Sequence, residues 1–151
     1  MRQRVLALVI ALNLAFLDQV VKQWVFVKKP FMMVNDFFNL AYVENRGCAW
    51  GMLQGQVWPL AIFAIIVFAF LIWKQDKIAK VPTMALLYAG IGGNLIDRIG
   101  RGFVVDMLDF HWGTAHFPCF NFADTFICVA VALLILDEAL GIFARRTHRE
   151  R

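Results

Sequence analysis

Four stretches of this 151-residue chain, Val5–Trp24, Val57–Trp73, Val81–Ile99 and Phe120–Phe143, are long and apolar enough to leave it few ways to fold. A bilayer core is crossed by roughly 20 helical residues. Within it no water is available to the backbone, so each stretch must satisfy its own N–H and C=O groups as a helix. Hydrophobic residues make up 61% of the chain and its mean hydropathy is +0.65, above what a soluble core of this size uses. The expectation is an all-α integral membrane protein: one domain over residues 1–151 with four transmembrane helices, linked by outer segments at about 25–56 and 100–119.

Orientation follows from where the cations fall. Arg2 and Arg4 precede the first span, Lys74, Lys77 and Lys80 fill the second link, and Arg145, Arg146, Arg149 and Arg151 close the chain. These nine share one side, so both ends of the chain are expected to be cytoplasmic. Lys28, Lys29, Arg46 and Arg101 fall on the other side. The net charge of +4 is largely this topological signal and calls for no nucleic-acid partner. Arg2 and Arg4 ahead of Val5–Leu17 also suit a cleavable signal peptide. Removing it would discard an anchor that agrees with the other two basic segments, so the stretch is read as a span.

Trp24, Trp58 and Trp73 lie at span ends and Trp112 in the second outer segment, as an interfacial aromatic belt requires. The link Lys74–Lys80 is short, which makes spans two and three antiparallel neighbours. Pro82 suits the first turn of the third. Phe37–Asn45 is rich in aromatic and β-branched residues, too short to span, and followed by a turn at Gly47, so it predicts one or two strands lying on the membrane surface. Trp50–Leu53 predicts a short interfacial helical turn. The segment Gly100–Cys119 is read as a loop.

Polar residues inside or beside lipid-spanning helices are costly and point to function. Asp18 and Lys22, four residues apart, share a helix face and can pair. Asn13, lower on that helix, is expected to hydrogen-bond a neighbouring helix. Gly90, Gly92 and Gly93 allow close helix approach, and Asn94, Asp97 and Arg98 follow them. Arg98 suits a helix C-terminus and Asp97 does not, so Asp97 needs an internal partner or loop amides. Asn121 and Asp124 have the spacing of a helix cap. Asp106, between Val105 and Met107, sits in an apolar setting that should not hold a lone carboxylate.

Asp106 and Asp124, 18 residues apart, can converge where the second outer segment meets the last helix. Two carboxylates in contact at low dielectric share a proton. One can then activate water while the other, protonated, polarises a carbonyl. The residues alone leave open a proton relay through Asp18, Asp97, Asp106 and Asp124, and a non-catalytic lipid-binding scaffold. A thiol pair of Cys119 with His116 or His111 is the weaker catalytic option, and a Cys48–Cys119 disulfide is a further possibility. The chain has no serine. The cysteines have no metal-ligand spacing, and neither metal nor organic cofactor is expected.

Five blocks, in order, resemble the signal peptidase II (lipoprotein signal peptidase) family: Leu17–Lys22, Glu44–Gly51, Gly92–Arg98, Gly102–Asp106 and Phe120–Asp124. Together with four spans they cover essentially the whole chain. The resemblance implies a multi-pass aspartic endopeptidase of the bacterial inner membrane, with its site near the periplasmic face. Its substrates would be diacylglyceryl-modified prolipoproteins, cut just before the lipidated cysteine. The resemblance makes Asp106 and Asp124 the catalytic dyad and assigns Asn45, Asn94, Arg98 and Asn121 to substrate binding. Asp18, Lys22, Asp97 and Gly47 become supports of the site. It also implies a periplasmic β-cradle with a short interfacial helix, contact with membrane phospholipid, and inhibition by globomycin-type cyclic peptides. Cys48 and Trp50 depart from the family pattern, where a small residue and Phe are usual, and the stretch between the aspartates is about one residue shorter than in some relatives.

Overall fold

The computed structural model describes the backbone at residues 2–78 and 80–149 and the side chains at 2–75 and 80–140. Of the cations that set the expected orientation, Lys77, Arg145, Arg146, Arg149 and Arg151 lie outside the described side chains. Four long helices, α1 (Arg2–Lys28), α2 (Val57–Ile78), α3 (Val81–Arg101) and α4 (Phe122–Arg149), carry most of the chain. Between them lies one antiparallel set of strands in the order β1 (Met32–Asn35), β2 (Phe38–Asn45), β3 (Val104–Trp112) and β4 (Ala115–His116). Among the described residues, two helices, α1 and α2 to Gln75, are long and apolar enough to cross a membrane.

Helix α1 is turned inside out relative to a helix of a soluble protein. On α1 the buried stripe is Ala7, Ala11, Asp18, Lys22 and Val25, while Leu6, Val9, Leu12 and Phe16 point outward. This stripe packs on α3, the central helix, which also meets α2 and α4. Because α3 is enclosed on three sides, its Asn94 and Asp97 can be polar without facing lipid. Lys80 at its start ion-pairs with Asp137 of α4 at 2.8 Å, and Tyr88 donates to the buried Gln75 of α2 at 3.1 Å. Asn13 differs from expectation: it is exposed and donates to Val9 O of its own helix at 2.8 Å, because its position falls off the α3-facing stripe.

Strand β2 falls where the aromatic segment predicts it, β1 pairs with it from the residues just ahead of that segment, and the helical turn after them is a single 3-10 turn, Ala49–Gly51. The segment after α3 is a strand rather than a loop. Val104–Met107 is buried on both faces, so the alternation that marks a strand on one solvated face is missing from its sequence. Gly102, at φ +75°, ends α3 in the left-handed conformation and turns the chain into β3. Beyond the sheet, Met107 N–H and Leu108 N–H both donate to Phe120 O at 3.0 and 2.8 Å, and Phe120 N–H returns to Leu108 O at 3.2 Å. Phe120, two residues before α4, is thereby pinned to β3, which sets Asp106 against Asn121.

At Gly90 the α3 and α4 backbones nearly touch: an added Cβ would lie 2.4 Å from Ala123 O and 2.6 Å from Ile127 Cγ1. At Gly92 an added Cβ would meet only Phe68 Cε2, at 3.8 Å. Gly90→Ala should therefore push the helices apart and lower stability by about 1–3 kcal/mol, whereas Gly92→Ala gains helix propensity and is neutral or stabilising. Thermal unfolding in detergent, followed by tryptophan fluorescence, checks the contrast; equal melting temperatures would refute it.

Candidate active site

Asn121 and Asp124 close the N-terminus of α4 reciprocally. Asp124 N–H donates to Asn121 Oδ1 at 2.9 Å, and Asn121 N–H donates to Asp124 Oδ2 at 3.2 Å. This is the capping pattern the sequence offers as the plain explanation for both residues. The cap also does something else. With its oxygen committed to the α4 backbone, the fully buried Asn121 presents Nδ2 to Asp106 Oδ1 at 2.6 Å.

Asp106 is only 1% exposed. Its second oxygen accepts from Asn45 Nδ2 at 2.9 Å, and Asn45 is oriented in the same manner, since its Oδ1 takes Gly47 N–H at 2.9 Å. Gly47 has to be glycine, because a Cβ there would lie 2.3 Å from Met52 O. Arg98 Nη2 donates to Gly47 O at 3.1 Å, tying the loop after β2 to α3. Asp124 Oδ1 takes the third amide, Asn94 Nδ2, at 2.7 Å. Three asparagines from three different elements thus surround two carboxylates, and each donates.

Burial pushes the Asp106 carboxyl up to about 7. The charge of Asp124 adds to the rise, and the donors Asn45 and Asn121 oppose it without cancelling it. A carboxyl that holds its proton to neutrality beside a second acid is suited to general acid–base work.

The site opens onto a cavity of about 670 Å³ lined by Asn45, Asn94, Arg98 and Asp124 at its polar end and by Leu60, Phe63, Val67, Ile91 and Ile127 elsewhere. Asp106 lies behind this wall. Trp50 packs edge-on against Phe117, with ring centroids 5.6 Å apart, and both line the cavity.

Asp18 and Asp97 are not in the cavity wall. Lys22, completely buried, lies 2.9 Å from Asp18 and 3.3 Å from Asp97. Asp97 also accepts from Arg101, from Gln19 at 3.2 Å and from Val105 N–H at 3.0 Å. Its misfit at a helix C-terminus is met by both routes the sequence allows, an internal partner and a loop amide. With these two acids consumed in ion pairs, a relay through all four aspartates loses half its members.

The thiol alternative also separates. Burial, with the nearby charges of Asp106 and Asp109, pushes the Cys119 thiol up to about 12, which leaves little thiolate to attack anything. His116 is bonded to Asp109 at 2.8 Å and stacked on His111, and Asp109 also accepts from Asn39 at 2.9 Å. All three cysteines are free, Cys48 and Cys119 included. Sequence reasoning missed Gln19, which donates to Gly93 O and accepts from Arg101; its place beside Asp18 was the available signal.

A model of the family described as signal peptidase (SPase) II matches residues 10–140. The chain belongs to the signal peptidase II family. The lipoprotein signal peptidase of Shewanella sediminis is 42% identical over 82% of this chain and 77% of its own, and that of Bacillus pumilus 36% identical over 87% and 91%. Two solved structures of bacterial membrane enzymes, obtained by the in meso method at 2.3 and 1.9 Å resolution, superpose with TM-scores of 0.79 and 0.74. They are 31% and 32% identical and cover 92% and 89% of this chain and 90% and 92% of their own. Signal peptidase II proteins are peptidases, and α1 and α2 have the length and apolarity that a membrane enzyme needs.

The Asp106 carboxyl should titrate near pH 7 in the folded protein, well above its ordinary 3.8. Removing the Asn45 donor removes a bond that favours the ionised form, so Asn45→Ala should move the midpoint up. Carboxyl infrared difference spectra of wild type and variant across pH 4–9 test this. A wild-type midpoint near 4, or a downward move in the variant, contradicts it.

Proposed function

We propose that this chain is an intramembrane aspartic endopeptidase that cleaves the signal peptide from diacylglyceryl-modified prolipoproteins, just before the lipidated cysteine. The observation that carries the reading is the pair of carboxylates bonded to one residue, Asp106 by the Asn121 side-chain NH2 and Asp124 by the Asn121 backbone N–H, at the polar end of an apolar cavity. An acid pair beside apolar walls suits a substrate whose scissile bond lies between a hydrophobic signal helix and a lipid. Membership of the signal peptidase II family supplies the substrate class.

In the proposed reaction Asp106 and Asp124 hold one proton between them. The ionised carboxylate takes a proton from water as the water oxygen attacks the peptide carbonyl carbon. The protonated partner gives its proton to the carbonyl oxygen, forming a gem-diol. The C–N bond then breaks as the leaving nitrogen takes the proton of the protonated carboxyl and the ionised carboxylate takes a proton from a gem-diol hydroxyl, which leaves a carboxylic acid and an amine and returns the dyad to its single proton. Asn45, Asn94, Arg98 and Asn121 are assigned to substrate backbone and to holding the acids.

All four helices are proposed to cross the membrane, within one domain over residues 1–151. Support for α4 comes from its exposed Val129, Val131, Ile135, Leu136 and Leu140. For α3 it comes from enclosure by the other three helices, which lowers the hydropathy it needs. The cation distribution supports both ends cytoplasmic in a bacterial inner membrane, with the sheet and the site at the periplasmic face among phospholipid headgroups. Globomycin-type cyclic peptides are proposed to compete for the cavity.

Purified protein should release the signal peptide from a diacylglyceryl-modified prolipoprotein in micelles. Asp106→Asn and Asp124→Asn should each reduce turnover by 10³-fold or more, within the range by which acid–base groups and their coupled partners act, while keeping the wild-type circular dichroism. Full activity in either folded variant would remove the dyad assignment.

A further inference from the structure

The reaction proposed above gives Lys22 no part, yet this lysine is sealed beneath the site. Lys22 Nζ has three protons and three acceptors: Asp18 Oδ2 at 2.9 Å, Asp97 Oδ2 at 3.3 Å and Asn94 Oδ1 at 2.9 Å. The first two are charge neutralisation, the ordinary reason to tolerate a buried ammonium. The third has a different consequence. A carboxamide has nearly the same shape when flipped by 180°, so sterics alone do not decide whether Asn94 turns its oxygen or its NH2 to Asp124. With the oxygen turned that way, two acceptors would oppose each other at the 2.7 Å contact. An ammonium has no lone pair, so only the oxygen of Asn94 can face Lys22, and the NH2 must then face Asp124.

The other two asparagines follow the same rule. Asn121 is locked by Asp124 N–H and Asn45 by Gly47 N–H, each a backbone donor that forces the amide's NH2 toward a carboxylate. Among the described residues no backbone N–H serves Asn94 in this way, and the lysine of α1 does it instead. Asp124 is thereby held at both oxygens, Oδ1 by Asn94 and Oδ2 by Asn121 N–H.

We propose that Lys22 is a positioning residue for the reaction: acting through the Asn94 carboxamide, it fixes the orientation of Asp124 toward Asp106. The proposal rests on the dyad reading above. Without Lys22, Asn94 is free to flip and Asp124 to rotate away from the reacting geometry.

The test separates this role from charge neutralisation. Asp18→Asn with Lys22→Met removes one negative and one positive charge together, and Asp97 keeps Arg101 as its cation. In folded enzyme of this double variant, kcat should fall roughly 100-fold, the cost of a small misplacement, with KM little changed. Asn94→Ala should cost about as much. Because both losses act through one amide, the triple variant should be no slower than either, roughly 100-fold down rather than 10⁴-fold. Multiplying losses, or a double variant with wild-type kcat, overturn the proposal. Lys22→Arg serves if the neutral pair does not fold: a guanidinium also only donates, so more than a tenth of kcat should remain, and a folded Lys22→Arg enzyme as slow as Asn94→Ala overturns it. Failure of the dyad reading is distinct, since it shows as turnover by Asp124→Asn whatever stands at position 22.

Discussion

A completely buried ammonium holds this molecule together. Lys22 sits where α1 crosses α3, and its partners come from both helices: Asp18 from its own, Asn94 and Asp97 from the other. Removing any one partner would leave an uncompensated polar group in a low-dielectric interior, at a cost of several kcal/mol. The crossing is therefore specified by polar matching, in a region where hydrophobic association gives helices little reason to prefer one neighbour. Asp18 extends this outward through Ala123 N–H at 3.0 Å, which fixes the start of α4. Asp97 extends it through Val105 N–H, which fixes the residue beside Asp106.

From that point two constraints run to the site by separate routes. One passes along β3, whose register with β2 places Asn45 opposite Val104 and Val43 opposite Asp106. The other passes through the bridge between Leu108 and Phe120 into the cap of α4. Both acids are held by amides whose orientation is decided by something other than the acids. Preorganisation of this kind lets an enzyme avoid reorganising its dipoles during the reaction. The same enclosure raises the Asp106 carboxyl toward neutrality, so the bonds that position it and the burial that tunes it have one origin.

Much of this was legible before any coordinates. The helices, the surface strands and the five motif blocks are visible because each rests on local rules of hydropathy, period and spacing. The capping of α4 was equally legible, and it proved compatible with a role in the site: Asn121 caps with its oxygen and serves Asp106 with its nitrogen. Strand β3 was not legible, because a strand buried on both faces loses the alternation that marks it. Asn13 was misassigned because its place off the buried stripe depends on which face of α1 meets α3.

The sequence by itself determined that the chain is built for lipid, that its acids are too costly to be idle, and which family it resembles, since transfer energies and motif order are properties of the linear chain. Only the tertiary structure decided which acids stand together. Asp18 and Asp97 look as functional as Asp106 and Asp124 in one dimension, but helix crossing turns the first two onto Lys22, while strand pairing and the α4 cap bring the second two together through Asn121. The partner that a buried charge finds depends on the packing of elements distant in the chain, and no local pattern encodes that.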